Sequence, residues 1–207
     1  MSIDKLKLNN ESGFTLIELL VSTVIFSGIL LITTVGIISV TRTYLKGYIS
    51  TDVQNTDRSI ADQITQAVQN SGGNVNLTHT TGSPPYFFCI DQVEYTYNFA
   101  AGLNPSSELY RGPVNTNCTN PGLVSASQSL IGANMLLIKP SSGQILSQEP
   151  LNPNQYNIQL YIMYANTGTY TYSAPSSYAC NSISIGGDFC QEALIETSAV
   201  QRTALNP

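Results

Sequence analysis

The chain has 207 residues, of which 42% are apolar and only 10% charged, with a formal net charge of −5. So few charges of net negative sign give no support for a broad cationic surface for nucleic acid, which leaves room only for a small local basic patch. The length accommodates one globular unit with a real core beside a long N-terminal segment, and little more.

Residues 1–13 are short and polar, with Lys5 and Lys7 offset by Asp4 and Glu11. Arg42 and Lys46 stand on the far flank of the apolar run that follows, so charge counting does not fix a membrane orientation. From Phe14 to Val40 the chain is uncharged except at Glu18. As a helix this stretch would be about 40 Å long, enough to cross a hydrocarbon layer of roughly 30 Å. An ionised, unpaired carboxylate in lipid costs at least a few kcal/mol, so Glu18 reads as a functional group that requires a partner. The simpler alternative is a signal anchor whose Glu18 snorkels to the headgroups. A cleaved secretory signal is a poor match, because its small-residue cut site follows the apolar core, whereas Gly13 precedes this one.

Beyond Val40, the apolar residues Ile49, Val53, Ile60, Ile64 and Val68 recur at helical spacing and define one face. Asp52, Asp57, Arg58, Asp62, Gln63 and Gln66 are expected on the remainder, and Ser71-Gly72-Gly73-Asn74 reads as a stop. The helix thus divides into a part that is apolar all round, 14–40, and an amphipathic part, 41–70. It contains no proline; Gly28, Thr33, Thr34 and Gly36 are its weakest helix formers, suited equally to local melting or to close packing on a neighbouring helix.

Residues 71–207 read as a β-rich head. Val93, Tyr95, Tyr97 and Phe99 alternate with Glu94, Thr96 and Asn98, and Tyr156, Ile158, Leu160, Ile162 and Tyr164 alternate with Asn157, Gln159, Tyr161 and Met163. Both patterns predict strands with one buried face. Residues 86–90 would open the first strand, 134–138 form a short buried run, and 169–172 would pair with 156–164 as a hairpin. Clusters such as Arg111-Gly112-Pro113, Asn120-Pro121-Gly122 and Pro150 to Pro153 would separate the strands. The expected fold class is α+β, with the second half of the long helix packed on an antiparallel sheet.

The segment Gly13-Phe14-Thr15-Leu16-Ile17-Glu18-Leu19-Leu20 resembles the processing and assembly motif of type IV prepilins and type II secretion pseudopilins. The resemblance implies removal of leader 1–13 by a prepilin peptidase, cleavage between Gly13 and Phe14, and N-methylation of Phe14. It also implies that Glu18 meets the N-terminal amine of a neighbouring subunit and sets register in a helical fibre. The expected architecture is a pilin-like lollipop with a helical stem. Its partners would be other pilin subunits, the peptidase, an inner-membrane assembly platform and, before assembly, the lipid bilayer. The head would lie outside the cytoplasm and later on a pilus or pseudopilus. Residues 60–72 and the tail 199–206 faintly resemble minor pilins, which favours an accessory subunit. Alternatives are an adhesive or DNA-binding pilin using loops 104–122 and 166–188, or a signal-anchored enzyme.

All four cysteines, Cys89, Cys118, Cys180 and Cys190, fall in the part placed outside the cytoplasm and read as two disulfides among three connectivities. Cys89 with Cys118 and Cys180 with Cys190 are favoured, since each closes a loop rich in turn residues. Zinc is the competitor, but no CxxC exists and His79 lies apart. No nucleophile elbow, phosphate loop or metal-binding helix is present, so neither enzyme activity nor a cofactor is expected. Asp91 with Glu94, or Asp188 with Glu192 and Glu196, match no calcium-loop signature and read as solvated acidic faces.

Overall fold

The computed structural model describes residues 13–82, 84–102, 106–114, 118, 127–164, 170–173, 177–180 and 189–202. The leader apart from Gly13, most of the two head loops, Asp188 and the last five residues lie outside the described residues. The chain divides into two compact units, residues up to 43 and residues from 44 onward.

One helix, α1, runs from Leu16 to Asn70 and supplies both units with helical backbone. In the first unit its apolar side chains are uncovered: Ile17, Val24, Phe26, Leu31, Ile32 and Ile37 are all more than half exposed. The helix is long and apolar enough to cross a membrane, its best window reaching a mean hydropathy of 2.3. Hydroxyls within it are satisfied locally. Ser22, Thr33, Thr34 and Thr41 donate to carbonyls one turn earlier at 2.7–3.0 Å, so none demands water.

In the second unit, α1 buries Ile49, Val53, Ile60, Ala61, Ile64 and Val68. The helix stops where expected. Ser71 donates from its hydroxyl to the Val68 carbonyl at 2.7 Å, and Gly73, at φ 105°, takes the left-handed conformation that reverses the chain.

Eleven strands follow among the described residues: β1 (Val75–His79), β2 (Tyr86–Ile90), β3 (Val93–Asn98), β4 (Glu108–Pro113), β5 (Gln128–Ser129), β6 (Met135–Leu137), β7 (Leu146–Glu149), β8 (Asn152–Tyr164), β9 (Tyr170–Ser173), β10 (Ser177–Cys180) and β11 (Gln191–Val200). β1 to β5 form an antiparallel meander in chain order. In a second sheet, β8 pairs with β11 along one edge and with β6 and β7 along the other; β9 and β10 form a separate hairpin. Phe88, Ile90, Tyr95, Tyr97 and Leu109 of the meander and Leu137, Leu146, Ile158, Leu160 and Ile162 of the second sheet share one core with the helix stripe. The arrangement is α+β and pilin-like, with the second half of the helix packed on antiparallel strands.

Several expectations require correction. Residues 170–173 do not pair with 156–164; they pair with 177–180, and the place beside β8 is taken by β11. β11 carries two Ala and two Glu, residues depleted in strands, so its pairing reveals it more than its composition does. Arg111-Gly112-Pro113 is part of β4 rather than a turn, and a Cβ on Gly112 would collide with Ser127. β3 is buried on both faces, because Glu94 and Thr96 lie over a second cluster of Phe87, Cys89 and Cys118. Met163 likewise points into a small core with Leu136, Ile138, Tyr178 and Cys190 instead of toward solvent.

Disulfides join Cys89 to Cys118 and Cys180 to Cys190, with sequence separations of 29 and 10. Loop-closure entropy scales with those separations, giving about 3.6 and 2.7 kcal/mol respectively. Replacing Cys89 and Cys118 by Ser should therefore lower the urea-unfolding free energy by more than replacing Cys180 and Cys190. Ile64→Ala, at a fully buried site, should cost about 3 kcal/mol in the same assay.

Candidate functional site

The first turn of α1 is held by a reciprocal cap. Thr15 stands at the N-cap and Glu18 three residues on, which is the spacing of a capping box. The Thr15 amide and hydroxyl donate to Glu18 Oε2 at 2.9 and 2.8 Å, and the Glu18 amide returns a longer bond of 3.4 Å to Thr15 Oγ1. Glu18 is therefore not partnerless within the chain: Oε2 is committed to the helix start. Oε1 makes no hydrogen bond among the described residues and is exposed with the rest of the side chain. The Thr-x-x-Glu signal was present in the sequence beside the feature that drew attention to Glu18.

Electrostatics at this end are specific. The unsatisfied amides of a helix N-terminus carry the positive end of the macrodipole, so a carboxylate is favoured there and an extra cation is not. A free amine on Phe14, one residue before the cap, would add positive charge at the unfavourable end, and Glu18 is the acidic residue in that first turn to offset it.

Residues 8–38 match the family model described as the prokaryotic N-terminal methylation motif. That match supports a type IV prepilin- or pseudopilin-type protein. No curated protein and no solved structure matches it. The matched span contains Gly13, Phe14 and Glu18, together with most of the uncovered apolar helix, and it fits a membrane-anchored pilin.

The amphipathic part of α1 holds a second carboxylate that its polarity misplaced. Asp57 belongs to the buried stripe, four residues after Val53 and three before Ile60, and is 0% exposed. Neither of its oxygens has a hydrogen-bond partner. Its polarity assigned it to the outer face, yet the spacing from 49 through 53 to 57 and 61 already placed it inside. Burial alone raises its pKa from 3.8 to about 7.

Other acidic candidates are dispersed. Asp91, at φ 51°, lines an open cleft of about 690 Å³ with Asn76, Gln92 and Cys118, whereas Glu94 is buried and accepts from Thr96 Oγ1 at 2.8 Å. Glu192 accepts from the Tyr161 hydroxyl at 2.7 Å, and Glu196 from the Gln159 amide at 3.0 Å. The Tyr161 hydroxyl is pushed up to about 12 by burial and by Glu192. Among the described residues no three His, Cys, Asp or Glu side chains gather at a metal-binding distance. All four cysteines are oxidised in pairs, which removes them as zinc ligands.

The pH dependence of the head follows from Asp57. Its folded pKa lies above its unfolded one, so the stability of the protonated form is fully present below about pH 3.8 and is lost as pH rises through about 7. Between Asp57→Asn and the parent chain, the difference in unfolding free energy should shift in favour of the variant by roughly 3 kcal/mol from pH 4 to pH 8. Urea titrations at both pH values measure that shift.

Proposed function

We propose that this chain is an accessory structural subunit of a type IV pilus or type II secretion pseudopilus. A prepilin peptidase cuts between Gly13 and Phe14 and methylates the new amine, and an inner-membrane platform then draws the subunit from the bilayer into a helical fibre. The head stands outside the cytoplasm, and the work of the protein is assembly rather than catalysis.

The observation that carries this reading is the division of labour at Glu18. One carboxylate oxygen caps the helix while the other remains open, in a segment that exposes its apolar side chains along every face. A surface of that extent is stable only in lipid or against like helices. An incoming amine bound at Oε1 would join a carboxylate already oriented by Thr15. In a dry environment such a pair contributes register more than net affinity, because desolvation cancels much of the attraction.

Two measurements test the proposal. Intact-mass and N-terminal peptide spectrometry on protein from its own cells should find a chain starting at methylated Phe14; a retained Met1 would overturn the reading. Glu18→Ala should leave the chain in the membrane fraction at normal level while reducing its recovery in sheared filaments at least tenfold, whereas Glu18→Asp should retain part of that recovery.

A further inference from the structure

The longest uncovered strand edge among the described residues belongs to β11. It pairs with β8 through ten consecutive positions, from Gln191 opposite Tyr164 to Val200 opposite Gln155, with no bulge. On its other side β11 has no neighbouring strand among the described residues. Edge strands are ordinarily blunted by shortness, charged side chains, proline or a bulge. β5, β6 and β7 are only two to four residues long, but β11 has ten, with no proline, lysine or bulge, and its only charges are Glu192 and Glu196. Half of its backbone donors and acceptors therefore face outward as a template.

Its outward face also carries a pattern. Glu192, Leu194 and Glu196 stand in a row, each exposed, with Leu194 at 56%. Tyr161 and Gln159 hold the two carboxylates by one hydrogen bond each, which orients them without neutralising them. We infer that the β11 edge accepts an extended segment of a different protein bearing basic, apolar and basic residues at alternate positions, added as a further antiparallel or parallel strand.

A second copy of this chain does not meet the requirement. Antiparallel pairing of β11 with itself, Leu194 facing Leu194, would set Glu192 opposite Glu196 twice, and like charges directly across a ladder are destabilising. In the whole sequence the only two basic residues four apart are Arg42 and Lys46, and both lie in α1. The partner strand must come from another protein. This goes beyond the fibre reading and does not rest on it, because binding can be read on the dispersed chain.

The test uses the full chain in uncharged detergent micelles at low ionic strength and a fluorescent peptide, TKTLTKT, followed by anisotropy. Saturable binding is expected, weakened about tenfold by Glu192→Lys with Glu196→Lys, a change confined to exposed side chains. Unchanged circular-dichroism melting of the double variant shows that it folds. Two further peptides, N-methylated at alternate residues in one phase or the other, should behave oppositely, one losing binding and one keeping it, since only one edge of the added strand meets β11. Equal behaviour of the two phases, equal binding of the clustered peptide TTKKLTT, no saturable binding, or self-association through β11 would each overturn the assignment.

Discussion

The stripe from Ile49 to Val68 is the contact on which the head depends. Neither sheet is self-sufficient: the meander is antiparallel and open, and the second sheet is centred on the single long strand β8. Both turn apolar faces to the same helix, and the side chains of all three meet in one core. Most of the stability of this part of the helix comes from that burial rather than from propensity. Asp57 is the cost placed in the middle of that stripe, a carboxylate whose pKa burial raises to about 7.

The two carboxylates of α1 illustrate how environment divides roles between identical chemistry. Glu18 is exposed at the helix start, anchored by Thr15, with one oxygen open. Asp57 is enclosed and has no hydrogen-bond partner among the described residues. A charge that must meet another molecule has to be oriented yet reachable, and a reciprocal cap achieves both without further residues. The pilin-type signal of the chain lies in this short N-terminal region, since the matched motif ends at residue 38 and does not reach the head.

Legibility followed periodicity. The long helix, its stop at Ser71 to Asn74 and the strand around Tyr156 to Tyr164 were readable because apolar residues recur at 3.6 or at 2 over many positions. What failed was local polarity taken as a guide to burial. Glu94, Thr96 and Met163 lie beneath a disulfide or a hairpin that covers the outer faces of β3 and β8, and no single strand pattern announces such a lid. β11 is hidden for a related reason: its inward positions include the small Ala193 and Ala199 beside Ile195, and its identity as a strand comes from a partner 27 to 45 residues away in sequence. At the candidate site, Glu18 stood out by charge, whereas Thr15 drew no notice because a threonine in an apolar run looks ordinary until its spacing to Glu18 is considered.

β11 is also fastened at both ends. Cys190 immediately precedes it and is tied to Cys180, while beyond Val200 the Gln201 side chain donates to Ser71 Oγ at 2.7 Å and the Arg202 amide to the Gln69 carbonyl at 3.3 Å. A strand peels from a sheet one hydrogen bond at a time when a free end is lifted, but neither end of this one is loose. Force applied to the head must therefore load its pairing with β8 all at once, as in a lap joint rather than a zip fastener.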